Sequence, residues 1–371
     1  MQRSPSIRLQ AVAALAALVL PAAAHAAEPP TGSSLLGGTQ ALLVREALQI
    51  VGIVGEQVWP GWGTTPKTTL IVGEEDEFLV TIGLDIEVAD NFAATGETIA
   101  GFAVYSRPRS LTRTLRAAFP VDGIPMAVVG AWDATEESPN EWTISLVEQW
   151  FHLLQLQRGE QTKATDLGIG EVEVPSWRID YPFPFEDEDV GNAMVLLGVA
   201  LYDFGITAPD LPRTSQRSFQ GQTARAALAN LRTVLTLKHG ASAYDFFRLR
   251  TWRDGVARYS GVLVARLVAA AEEREVYSSI PGFASLDEHR SYFRVWRDGF
   301  ANQVWLIRTA QLDGDRHLTS FDALGHGMAV MLDVIAPEWK DSYFEQGVWL
   351  DDLIANGLES LAETPRASAR Q

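Results

Sequence analysis

The stretch from Ser138 to Gln155 constrains the fold more than any other part of the chain. Ser138 carries the hydroxyl of a helix cap, Pro139 suits the first helical position, and Glu141 completes a capping box, so a helix starts here. Its body, Trp142-Thr143-Ile144-Ser145-Leu146-Val147-Glu148-Gln149-Trp150-Phe151-His152-Leu153-Leu154-Gln155, is apolar on several faces. Such a helix is stable only when other elements cover it all round, so it must be central. Glu148 and His152 are the only titratable side chains between Trp142 and Gln155. Four residues apart, they project from one face. A carboxylate and an imidazole buried at that spacing are either a satisfied polar pair or two ligands of one metal.

The chain is long enough to build those surroundings: 371 residues suffice for one large domain or two ordinary ones. Hydrophobic residues make up 47% and charged residues 21%, which excludes intrinsic disorder and a fibrous repeat. There is no cysteine, so disulfides, Fe–S clusters, thiolate zinc sites, covalent c-type haem and a cysteine nucleophile are all excluded. Thirty Lys+Arg stand against 47 Asp+Glu, a net charge of −17, and such a surface repels phosphate backbones. Nucleic acid is therefore not an expected partner. The chain has no Gly-x-Ser-x-Gly elbow, P-loop or Gly-x-Gly-x-x-Gly segment, which argues against serine-hydrolase, NTPase and dinucleotide readings.

The first residues read as a bacterial export signal. Arg3 and Arg8 are followed by the ten apolar residues Ala11 to Leu20 and by the small-x-small site Ala24-His25-Ala26. Ten residues are too few to span a bilayer about 30 Å thick as a helix. Cleavage after Ala26 removes two arginines and no acid, leaving 28 − 47 = −19. The expected location is the periplasm or the medium, with no stable membrane span once the signal is gone.

The expected organisation is a signal peptide at 1–26, a mobile leader at 27–35, an α+β region at 36–135, a helical domain at 136–362 and a disordered tail at 363–371. Helical periodicity runs from Leu36 to Val58 and is stopped by Trp59-Pro60-Gly61-Trp62-Gly63. Leu70–Val72, Phe78–Ile82, Ala100–Tyr105 and Pro125–Val129 are β-rich runs. Helices are expected near 139–158, 190–205, 216–237, 241–272, 285–311, 322–335 and 346–361, with loops at 159–188 and 207–214. The class is α+β, a small N-terminal sheet followed by a mostly helical body.

Two segments carry a family resemblance. Glu148-Gln149-Trp150-Phe151-His152 resembles the His-Glu-x-x-His helix of zinc metallopeptidases, with Glu148 at the first His and Gln149 at the catalytic Glu. Trp252-Arg253-Asp254-Gly255-Val256-Ala257 resembles the Trp-x-Asn-Glu-Gly-x-Ala segment of the gluzincin branch, with Asp254 at the position of the third zinc ligand. The chain is also similar to a group of exported bacterial proteins that carry His-Glu-x-Phe-His and a later Glu-Gly-Leu-Ala. The resemblance covers roughly residues 120–360 and implies a zincin-like helical domain.

The resemblance implies Glu148, His152 and Asp254 as a ligand set for zinc or, because two of the three are hard carboxylates, manganese. It also implies a missing base. An amide at Gln149 cannot take a proton from a metal-bound water, a loss on the order of 10²–10⁴ in rate. Tyr259 is a further, weaker candidate for a catalytic group. The expected function is a non-catalytic pseudopeptidase or binding module with a peptide or protein ligand. The alternatives are an active metal-dependent hydrolase using Glu148, His152 and Asp254, and an unrelated helical binding protein. Replacing Glu148 by His and Gln149 by Glu rebuilds the family motif and is expected to create zinc affinity.

Other residues have plainer readings. His152 could simply bond to Glu148, and Asp254 could pair with Arg250 or Arg258 at i±4. The acidic run at 185–189 reads as a helix cap before it reads as a calcium site. His239, before Gly240, suits a helix C-terminus. Asp313-Gly314-Asp315 reads as a turn, and His317 and His326 receive no role.

Overall fold

The computed structural model describes residues 36–83, 91–169, 181–207, 215–270 and 319–368. It is an α+β protein in which a six-stranded N-terminal sheet precedes a mostly helical region. The export signal, the leader, the helix expected at 285–311, most of the 207–214 loop, His289, His317 and Asp313-Gly314-Asp315 lie outside the described residues.

The first helix, α1 (Gly38–Val58), leads into β1 (Thr69–Val72), β2 (Asp76–Val80), β3 (Ala93–Ile99), β4 (Phe102–Pro108), β5 (Arg116–Val121) and β6 (Ile124–Gly130). Their order in the sheet is β3-β4-β2-β1-β6-β5. β1 runs parallel to β6, and every other pairing is antiparallel. Two tight hairpins need two left-handed residues each. Ala100-Gly101 (φ 51° and 87°) joins β3 to β4, and Asp122-Gly123 (φ 51° and 79°) joins β5 to β6. Side chains alternate across the central strands. Ile71, Ala127 and Val129 face the main core, while Leu70, Val72, Met126 and Val128 face a smaller cluster with Phe92 and Val121. Burial on both faces explains why β1 reads as a continuous apolar run.

The helical part comprises α2 (Pro139–Arg158), α3 (Glu160–Asp166), α4 (Glu188–Thr207), α5 (Ser215–His239), α6 (Ala241–Arg250), α7 (Val256–Ala270), α8 (Thr319–Ile335), α9 (Trp339–Ser342) and α10 (Leu350–Ser368). α2 takes the central position its sequence demands. It is buried almost continuously from Trp142 to Gln155 and packs on β5, β6, α1 and α7. Its start is the capping box: Ser138 Oγ accepts from Glu141 N at 3.3 Å, and Ser138 N donates to Glu141 Oε2 at 2.8 Å. One core runs from α1 through the inner face of the sheet to α10.

Three sequence expectations are revised. The loop at 159–188 contains α3, opened by Gly159 at φ 134°. The single helix expected at 241–272 is interrupted by a π-helical turn at Thr251–Gly255, so α6 and α7 are distinct. α10 continues through Ser368, into the stretch expected to be disordered. Asp187 caps α4, accepting from Asp189 N at 2.9 Å, and pairs with Lys238 and His239, which supports the capping reading of the acidic run. No helix among the described residues is long and apolar enough to cross a membrane.

Candidate functional site

Three elements meet where the two motif segments were expected to meet: α2, the π-turn with the start of α7, and α8. The crossing of the π-turn with α8 is close because both sides are glycine. A Cβ on Gly255 would lie 2.6 Å from the Gly325 carbonyl carbon, and one on Gly325 would lie 2.7 Å from Gly255 Cα. A π-turn frees backbone carbonyls, and buried carbonyls need donors. Gln155 supplies them: its Nε2 donates to Trp252 O at 3.2 Å and Arg253 O at 2.9 Å. Tyr343 Oη also donates to Trp252 O, at 2.5 Å.

That duty fixes His152. With the Gln155 amide nitrogen committed, its Oε1 accepts from His152 Nδ1 at 2.9 Å. His152 Nε2 then faces Asp254 Oδ1 at 4.0 Å. The imidazole thus bonds to Gln155, three residues on, rather than to Glu148. Its orientation is the one a metal-binding imidazole requires, with the other nitrogen held by a bond.

The carboxylates are placed differently. Asp254 forms ion pairs with Arg250 Nε and with Arg253 Nη1. Arg253 also donates through Nε to Glu160 Oε1 at 2.5 Å. Glu148 Oε1 accepts from Arg258 Nη1 at 2.7 Å. Glu148 lies flat against α7 because residue 261 is glycine; a Cβ there would come within 2.6 Å of Glu148 Oε1. Of the pairings expected for Asp254, the one with Arg250 forms, while Arg258 turns to Glu148 instead. Among the described residues no three His, Asp or Glu side chains are placed to hold a metal ion. The donor set gives the physical reason. Glu148 Oε1 and Asp254 Oδ1 accept from guanidinium N–H groups, and a divalent cation would have to sit beside permanently charged arginines.

Gln149 is buried, and its Oε1 has no hydrogen-bond partner among the described residues. The Tyr259 hydroxyl is bound outside the expected ligand positions, although its ring lies 6.1 Å from that of His326. The hydroxyl of Tyr259 donates to Asp333 Oδ2 at 2.7 Å, and its ring packs on Trp339.

Sequence reasoning missed Asp322 and gave His326 no role; both lie half-buried on α8 beside this centre. The signal was present for Asp322, an acid inside the apolar run Phe321 to Leu324, where a charge must find partners. Burial pushes the Glu148 carboxyl up to about 7, with Arg258 opposing. Burial and then the charge of Asp254 push Asp322 up to about 6. Burial and then Arg258 push His326 down to about 4.

These shifts make stability depend on pH. Glu148 has a folded value above its ordinary 4.5, so between about pH 4.5 and 7 the folded chain holds a proton that the unfolded chain releases. Its contribution to stability therefore falls as pH rises through that window. Asp322 acts in the same sense and His326 in the opposite one. Glu148→Gln removes the first contribution. Measured by urea unfolding, the variant should gain on wild type by on the order of 3 kcal/mol between pH 5 and pH 8. A difference that stays constant with pH would contradict this assignment.

A groove of about 590 Å³ opens beside α2, lined in part by Arg116, Glu136, Glu137, Glu141, Ser145 and Arg258. Arg116 pairs with Glu137 at 2.6 Å, and Ser145 Oγ donates to Glu137 Oε1 at 2.8 Å. Arg258 spans the distance between groove and centre, since it lines one and binds Glu148 in the other. No protein family, curated protein or solved structure matches the chain.

Proposed function

We propose that this is an exported, gluzincin-like pseudopeptidase, a binding module that has kept the helix pairing of a metallopeptidase and lost its chemistry. One observation carries the reading. The carboxylates at the two ligand positions, Glu148 and Asp254, are ion-paired to arginine, and the base position holds the amide of Gln149. The groove beside α2 is where a peptide or protein ligand would lie. Its mixed lining of guanidiniums, carboxylates and hydroxyls suits the alternating donors and acceptors of a polypeptide.

The experiment uses protein recovered from the periplasm or medium, with its N-terminus sequenced and expected at Ala27. Incubated with a mixed peptide library, with and without added zinc or manganese, it should give no cleavage above the blank. Peptides retained by the wild type should be lost from an Arg116→Ala, Glu137→Ala variant. Turnover that a chelator abolishes and zinc restores would overturn the reading.

A second reading, a working hydrolase, is favoured by the Glu148 carboxyl, which is pushed to about 7, the range in which a general base operates at neutral pH. Cleavage by wild type that disappears in Glu148→Gln would select it.

A further inference from the structure

The ionic centre has a composition that the motif does not foretell. Among the described residues four carboxyl groups gather from four places: Glu148 on α2, Glu160 at the start of α3 and Asp254 in the π-turn are buried, and Asp322 on α8 is half-buried. Three guanidiniums answer them, from Arg250 at the end of α6, Arg253 in the π-turn and Arg258 on α7. Arg253 is the hinge of the set. Its side chain is 3% exposed and bridges Glu160, which is fully buried, to Asp254. The π-turn aids this by placing Arg253 and Asp254, neighbours in sequence, so that they can bond to each other while each reaches a partner on another element.

We infer that these three guanidiniums are the resident cation of the site: they hold α2 onto α7, and α3 and α6 onto the π-turn, where the family resembled by the motif would use a metal ion. The inference does not depend on what the groove binds. A guanidinium is charged at every pH the protein meets, and its several donors satisfy more than one carboxylate. It is part of the chain, so no chelator withdraws it and no competing metal displaces it. Removing one partner of a buried pair leaves an uncompensated charge, whereas replacing both partners by apolar groups is close to neutral. The two cases can therefore be separated by experiment.

The full mature chain is unfolded thermally, followed by circular dichroism. Wild type should keep the same Tm in excess EDTA, in zinc and in manganese. Arg253→Met, which keeps volume and removes charge, should lower Tm by on the order of 10 °C. Adding Glu160→Met to it should recover at least half of that loss. If the single variant does not fold, the double variant decides alone: a native spectrum and a Tm near wild type support the inference. Three outcomes overturn it. These are a wild-type Tm that falls in EDTA and returns with zinc or manganese, an Arg253→Met variant as stable as wild type, and a double variant that remains as unstable as the single one or unfolded. None of these readouts involves peptide binding or turnover, so they stand or fall separately from the proposed function.

Discussion

A chain carrying Glu148→His and Gln149→Glu together is expected to bind zinc no better than wild type. The spacing alone predicts the opposite, because the pair restores His-Glu-x-x-His. What opposes it is the charge already in place. Asp254, the intended third ligand, is held by Arg250 and Arg253, and the first substitution leaves Arg258 without its carboxylate next to the new imidazole. A guanidinium about 4 Å from each unit of metal charge costs about 4 kcal/mol at the effective dielectric of a protein. That corresponds to about a thousandfold in affinity. Adding Arg250→Met and Arg258→Met to the pair removes two such cations from beside a divalent ion and should therefore raise zinc affinity by at least that factor. The retained His152, held in its ligand orientation by Gln155, should then be required for binding. Competition against a chromophoric chelator measures both steps. Tight, His152-dependent zinc binding by the simple pair would show that the arginines move aside at little cost.

Gly325→Ala should be among the most damaging single methyl additions in this chain. The new Cβ would overlap Thr251 O and lie 2.7 Å from Gly255 Cα. Both are backbone atoms in packed helical segments, so no side chain can swing away to make room. Overpacking in a core costs about 1–3 kcal/mol when side chains can adjust, and more when they cannot. A loss of about 4 kcal/mol is expected, roughly 10 °C in Tm for a chain of this size. Gly191→Ala is the control. It sits in α4 with nothing within 4 Å of its Cβ, and it should be neutral or gain a few tenths of a kcal/mol from helix propensity. Scanning calorimetry of the two variants decides; a Gly325→Ala protein that melts with wild type would mean the two helical segments part easily.

The interior of the fold was legible in the sequence because burial leaves a pattern. The runs at Leu70–Val72, Phe78–Ile82 and Pro125–Val129 are apolar since both faces of the central strands are covered, and they became β1, β2 and β6. The strands that escaped detection are the two at the sheet edges. β3 reads Ala-Ala-Thr-Gly-Glu-Thr-Ile with exposed and half-buried side chains in turn, and a register shift lies between Ala94 and Thr98. β5 contains Pro120, which an edge strand tolerates and a central one does not. The site divides in the same way. The Arg250–Asp254 pair could be read from its i,i+4 spacing. The pairing of Glu148 with Arg258 joins residues 110 apart, and nothing local encodes it. The bond from His152 to Gln155 was within one turn of helix and still hidden, because it depends on Gln155 first meeting the carbonyls of a π-turn that composition does not announce.

Because the π-turn accommodates one residue beyond the α-helical count, excising any single residue between Thr251 and Gly255 would let α6 run straight into α7. Residue i+5 of a π-turn stands where residue i+4 of an α-helix stands, so everything beyond the cut would keep its face. Arg258 and Gly261 would stay on Glu148, while the carbonyls served by Gln155 would close on their own helix. At this one place the length of the segment, more than its composition, records whether Gln155 keeps its carbonyls and, through them, its hold on His152.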